Sequence, residues 1–327
     1  MILLRVTLRP FAFRTARTFV GTDVEDRVRD YREYARMVDD LGYTTFHVRE
    51  HYAYPGADGW QWAPVPALMA VLDATTRLRV GTGFTPVSFH HPFVLAQQYA
   101  TMDQFSGGRV EVGVGAGSME RDFVAGGLPP ETPGTRIRRL AEYVEILKGL
   151  WRGRFAFEGE FYRIDEIELV PPPRQQPGPP VVIGGHGRKV LGLAGRLAEA
   201  VEISPGGPGP FPPKIDPVGM KATASVPHLE KKIEWIRDGA GDRFDELELR
   251  LPTGGVVTDR PDEYVDHLVS AHGITAEHVY SSPFMAVGSV DRIVEHLLAV
   301  RERYGISSFQ VPDAVEFAPV VARLAGT

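Results

Sequence analysis

No cysteine occurs among the 327 residues of this chain. Disulfides, thiolate nucleophiles and sulfur-ligated metals are excluded by that alone. Lysine is nearly as scarce, six residues against 30 arginines, a skew that points to a GC-rich genome more than to a function. No apolar run reaches membrane-spanning length, and the opening MILLRV is short for a secretory signal. The expectation is a cytoplasmic protein with no membrane partner. A net charge of −6 provides no basic surface for nucleic acid. There is no Walker A motif, and no GxGxxG with an acidic residue about 20 positions on. His47 and His51 are four apart on a strand, which is not ligand spacing, and no carboxylates cluster near them; no metal is expected.

What is present reads as one ordinary soluble domain, 43% hydrophobic and 24% charged, of a length that a single α/β barrel fills. The chain is organised around VVIGGHGRKVLGLAGRLAEAVEISP, residues 181–205. The β-branched run Val181 to Ile183 leads into Gly184-Gly185-His186-Gly187, then into a helical apolar pattern, then into a second strand, Ala200 to Ile203, ending at Ser204-Pro205. In such a βαβ unit, glycines let the main chain approach an anion, while the free N–H groups and dipole of the helix start favour negative charge. The expectation is a phosphate seat; a tight turn with no ligand is the plain alternative.

The rest of the chain repeats strand and helix. Strands are expected at Leu3–Leu8, Thr44–Val48, Leu78–Thr82, Arg109–Val114, Leu247–Leu251 continuing into Val256-Val257, and Ser308–Val311, in addition to the two above. Helices are expected at residues 23–41, 64–74, 91–105, 135–151, 227–240, 261–272 and 289–304, the last with Ser289 as N-cap. Residues 155–180 break the rhythm with a hairpin and a proline-rich return, an insertion after the fourth βα unit. The Gly/Pro tract at 206–217 reads as a lid. Eight strands alternating with helices make a (β/α)8 TIM barrel, one domain over 1–327.

A barrel of this type builds its site where the strands end. Collected there are Glu50-His51, Gly83-Phe84-Thr85, Gly115, Gly117 and Ser118, Gly184 to Gly187, and Ser204. Glu50-His51 is the one adjacent carboxylate and imidazole at a strand end, and a histidine there can exchange a proton near neutral pH. Gly83, Gly115 and Gly117 offer bare backbone for a flat ring or, equally, close packing of turns. Tyr52, Tyr54, Trp60 and Trp62 read as a pocket wall, with an ordinary apolar plug as the alternative; Arg9, Arg14 and Arg17 read as solvated surface, with contact to an anionic substrate as the alternative.

The succession LGYTTFHVREHYA, LRVGTGF, HHPFVLAQQYATMDQFSGGRVEVGVGAG, VEILKGLW, FEGEFYRI and PPVVIGGHGRKVLGLAG resembles the bacterial luciferase-like superfamily of flavin and deazaflavin oxidoreductases. The later segments KKIEWIRDGAGDRFDELEL, VVTDRP, SSPFMAVGS and FAPVVARLAG are similar to a subgroup of probable coenzyme F420-dependent oxidoreductases. The resemblance implies the same barrel and a cofactor phosphate on Gly184, Gly185, His186, Gly187 and Ser204. It implies a cis bond at Gly83–Phe84 beneath the cofactor ring, near Thr85, Gly115, Gly117 and Ser118. His51 matches the histidine near the reactive ring carbon, with Glu50 expected to set its tautomer. Ser118 and Pro55 stand where the sugar-phosphate dehydrogenase branch has glutamate and tryptophan, so glucose-6-phosphate is not expected as substrate.

The function expected is hydride transfer between F420 and a small organic substrate, in a homodimer. An FMN-dependent monooxygenase using reduced flavin and oxygen is the alternative, and a non-catalytic flavin-binding protein is a third reading.

Overall fold

The computed structural model describes residues 9–16, 24–52, 62–129, 131–206 and 224–327. Eight parallel strands form its centre: β1 (Ala12–Ala16), β2 (Thr45–Val48), β3 (Arg79–Thr82), β4 (Val112–Gly115), β5 (Val181–Gly185), β6 (Ala200–Ile203), β7 (Glu248–Pro252) and β8 (Ser308–Gln310). Their spatial order is β3-β2-β1-β8-β7-β6-β5-β4, with the short strand Thr85–Pro86 beyond β4. A parallel bridge between Val80 of β3 and Val110, just ahead of β4, closes the ring. The (β/α)8 barrel expected from alternation is the observed fold.

Around the barrel lie α1 (Val24–Asp40), α2 (Pro64–Ala74), α3 (Pro92–Ser106), α4 (Pro133–Arg152), α5 (Arg188–Leu197), α6 (Val226–Ala240), α7 (Val290–Tyr304) and α8 (Ala318–Leu324). Local chemistry explains their ends. Proline occupies the first turn of α2, α3 and α4, where its missing N–H costs nothing. Thr132 caps α4 by accepting from the Thr135 amide, and Ser289 caps α7 by accepting from the Arg292 amide. Gly107 and Gly305 stop α3 and α7 in the left-handed conformation. Among the described residues no helix is long and apolar enough to cross a membrane.

The strand expected at Leu3–Leu8 lies outside the described residues, among which the first barrel strand is Ala12–Ala16. Two expectations need correction. Arg14, read as solvated surface, points into the barrel and is 1% exposed. Val256-Val257 does not prolong β7 in the barrel. Gly254–Val257 pairs in parallel with Met285–Gly288 as a separate two-stranded sheet, with helices Pro261–His272 and Ala276–Ser281 between them. The excursion between α4 and β5 is the expected hairpin, Phe155–Glu158 antiparallel to Arg163–Ile167. Its return segment is tied to α3 by Gln175, whose amide N–H and side chain both donate to Asp103, at 2.7 Å each.

The barrel axis is occupied by ions where branched aliphatics usually sit. Glu111 receives Nε2 of His47 at 2.8 Å and both terminal nitrogens of Arg250, at 2.5 and 3.0 Å. Arg250 also reaches Glu248 at 2.8 Å, and Arg14 pairs with Glu202. All but Glu248 are at most 7% exposed. Gly81 makes room for this network: a Cβ there would lie 2.8 Å from Cγ of Glu111. Burial alone would raise the Glu111 carboxyl, but the charge of Arg250 and the donated hydrogen bonds outweigh it and hold the group well below the usual carboxylate range.

Candidate active site

Three groups meet at the carboxyl ends of the strands. The first is the turn after β5. Gly187 is the N-cap of α5 and no side chain caps that helix. Among the described residues a Cβ on Gly187 would meet nothing within 4 Å, so the helix start is open to them. The neighbouring glycines serve packing. A Cβ on Gly184 would lie 2.2 Å from the Phe84 ring, and one on Gly185 would lie 2.5 Å from Val190. The carbonyl of Gly185 accepts from the Ser204 amide at 2.9 Å. Of the expected phosphate seat, the open elements are therefore Gly187, the exposed His186 and the half-buried Ser204.

Lys232 of α6 backs this turn, a residue that sequence reasoning missed. Its ammonium donates to the carbonyls of Ser204 and Pro205, at 2.8 and 2.5 Å. Burial lowers its pKa to about 8. His186 is pushed below the ordinary imidazole range, first by desolvation and then by the Lys232 cation. The arrangement places one buried positive charge behind the uncapped helix start, the electrostatics an anion requires.

The second group is the bulge after β3. The Gly83–Phe84 peptide bond is cis, as the resemblance implied. Gly184 presents a hydrogen atom where a side chain would strike Phe84, Gly113 one where a Cβ would strike the Thr82 carbonyl at 1.8 Å, and a Cβ on Gly115 would only touch Phe84, at 3.4 Å. Gly117, with φ +76°, leaves space for Phe123 in the same way. These glycines let the protein's own rings seat at the mouth, and the Gly83–Phe84 bulge itself is left partly exposed there. Thr85 is buried and pairs with Val114, and Ser118 is exposed.

The third group is the acid–base cluster. His51 is the partly exposed imidazole at the mouth, with its side chain 21% exposed. Its Nδ1 lies 3.1 Å from Oδ2 of Asp122 on the short helix Glu120–Ala125. Asp122 is 2% exposed and also receives the Tyr52 amide at 3.0 Å. The carboxylate that orients His51 is therefore Asp122, which sequence reasoning passed over, and not Glu50 as expected. Glu50 turns away from His51 and holds Nε2 of His90 at 2.5 Å and the Tyr52 hydroxyl. Of the expected aromatic wall, Tyr52 stacks on Phe89 with ring centroids 4.8 Å apart, while Trp62 joins the core. Tyr54 and Trp60 lie outside the described residues, as do Arg17 and positions 207–217 of the expected lid.

Comparison with known proteins agrees with this architecture. Over 200 residues the chain is 34% identical to an FMNH2-dependent dimethylsulfone monooxygenase of Pseudomonas putida, covering 60% of this chain and 54% of the relative. It is 32% identical over 217 residues to an F420-dependent glucose-6-phosphate dehydrogenase of Nakamurella multipartita, covering 65% and 59%. The match thus spans little more than half the length of these curated relatives. An F420-dependent secondary alcohol dehydrogenase, solved with an F420-acetone adduct, superposes with a TM-score of 0.73 over 97% of this chain and 98% of that one, at 19% identity; that likeness establishes the fold. The sequence model of the luciferase-like monooxygenase family matches residues 10–211. With a barrel of that shape and a family match over more than half its length, the chain belongs to the luciferase-like monooxygenase family.

Proposed function

We propose that this protein is an oxidoreductase that moves a hydride between coenzyme F420 and a small organic substrate. The observation that carries the reading is the His51–Asp122 dyad at the same barrel mouth as an open, uncapped helix start backed by Lys232. The residues present fit the cofactor. The amides at Gly187, the Ser204 hydroxyl and the charge of Lys232 would hold its phosphate, and the Gly83–Phe84 bulge would support its ring. The bound deazaflavin supplies the carbon that exchanges hydride with substrate. The chain supplies position and proton control. A buried carboxylate on Nδ1 fixes the orientation of His51, so the imidazole can hold or release the substrate's proton.

A second reading is a monooxygenase that uses reduced FMN and oxygen. The 34% identity to an FMNH2-dependent relative supports it, and the same seat suits either phosphate. Titrating purified protein with F420 and with FMN, and following fluorescence quenching, separates the two. F420 quenching is expected; FMN binding without F420 binding would replace the first reading by the second. The proposal includes a homodimer, which light scattering on the purified protein checks.

A further inference from the structure

Glu50 and Asp122 each orient a different histidine, and Tyr52 joins the two pairs. Its amide N–H donates to Oδ1 of Asp122, the partner of His51. Its hydroxyl donates to Oε1 of Glu50 and lies 3.2 Å from Nε2 of His90, the partner of Glu50. The two carboxylates are therefore separated by about the length of one tyrosine side chain, and each is 2% exposed. Their imidazoles are both partly exposed, 21% for His51 and 28% for His90. Nδ1 of His90 has no hydrogen-bond partner among the described residues. A buried carboxylate on one ring nitrogen, with the other left open at a half-exposed edge, is the arrangement that acid–base histidines adopt.

We propose that His90, oriented by Glu50, is a second acid–base side chain of this mouth and is covered, with His51, by the bound cofactor. This rests on the hydride-transfer reading given above. Moving a hydride between a carbon and a ring cofactor leaves two protons to place: one at the substrate's oxygen, one at a nitrogen of the reduced ring. When an alcohol is oxidised, its O–H proton would pass to one imidazole and the electron pair left on oxygen would form the C=O bond, the bound cofactor supplying the acceptor for the C–H hydrogen and its electron pair. The other imidazole, protonated, would hold the proton that the reduced cofactor requires. One imidazole holds only one of these protons at a time, and among the described residues of the mouth His51 and His90 each rest on a carboxylate of their own.

Diethyl pyrocarbonate footprinting, read by peptide mass spectrometry, tests the assignment without knowledge of the substrate. In the cofactor-free protein, His51, His90 and the exposed His267 should be modified, and the buried His47 spared. At ten times Kd of whichever cofactor binds, His51 and His90 should both slow about tenfold and His267 should not change. E50Q should alter the rate of His90 severalfold and leave that of His51 unchanged. H90Q should keep the melting temperature while its cofactor-bound protein still protects His51. Protection of His51 with His90 unprotected, or an E50Q protein with an unaltered His90 rate, would overturn the proposal alone. If neither F420 nor FMN binds, the functional reading falls first and takes the proposal with it.

Discussion

Oδ2 of Asp122 lies 3.1 Å from Nδ1 of His51, joining the short helix that follows β4 to the segment that follows β2. The carboxylate is buried and the imidazole is partly exposed, 3% against 21%. D122N keeps the shape and removes the charge. Turnover should fall ten- to a hundredfold, the usual effect of losing a group that orients a catalytic ligand. Cofactor affinity should stay within about twofold, because no phosphate contact is touched. H51Q should cost more, on the order of 10²- to 10⁴-fold. Loss of cofactor binding in either variant, measured by the same titration, would argue for a structural role.

At Gly187 stability and function should part company. Aspartate is a favoured N-cap and places negative charge at the positive end of the helix dipole. G187D should therefore raise stability by a few tenths to about 1 kcal/mol in urea unfolding. The same carboxylate would occupy and repel the anion's place, so cofactor binding should be abolished. A G187D protein that still binds F420 or FMN would remove the phosphate seat from this turn.

Lys232 gives a pH signature of two parts. Because burial lowers its pKa from the ordinary 10.5 to about 8, the native state binds fewer protons than the unfolded chain between those values. Its contribution to stability must therefore rise as pH climbs through that window. The melting temperature of the wild type should gain on that of K232M between pH 8 and 10.5. Affinity for an anionic cofactor should move the opposite way, weakening as the ammonium is lost above pH 8. In K232M that dependence should vanish, with binding weaker at every lower pH.

The axial network makes its own prediction. Removing one partner of a buried ion pair leaves the other uncompensated, at a typical cost of about 3–5 kcal/mol. R250M and E111Q should each lose stability of that order in denaturant titrations at pH 7. Glu111 is held below its usual pKa, so its stabilising effect is complete above about pH 4.5 and is lost as pH falls towards the folded value. The acid limb of the wild type's stability curve should be steeper than that of E111Q.

G184A examines the Gly83–Phe84 bulge. The added methyl would sit 2.2 Å from the Phe84 ring, and overpacking of this kind costs about 1–3 kcal/mol. Combining it with F84L should restore part of that stability; an additive double variant would show that the ring had already moved aside.

Much of the barrel was legible before any coordinates. The helix Pro261–His272 was bounded correctly because Pro261 and Gly273 punctuate it, and Ser289 announced α7 as a capping residue should. Helix and strand periods are local, and so are glycine-marked strand ends. What escaped notice depends on tertiary placement. Arg14, inside β1, looks like surface until Glu202, on a strand nearly 190 residues later, is seen beside it. Asp122 is one acidic residue among several after β4, and only the six-residue helix carrying it turns it towards His51. Glu50 was paired by adjacency with the wrong imidazole. Neighbours along an extended segment diverge, and the nearer partner was His90, 40 positions away.

An axis filled by complementary charges has a consequence for how such a protein diversifies. Arg14, His47, Glu202, Glu248 and Arg250 lie on β1, β2, β6 and β7, and Glu111 stands one residue before β4. A substitution on any of these requires an answer from a different strand. The interior is thereby locked against piecemeal drift, while the Phe89 and Phe123 rings, with centroids 5.3 Å apart, lie outside that lock. New substrate preferences should arise at that aromatic rim and leave the ionic axis untouched.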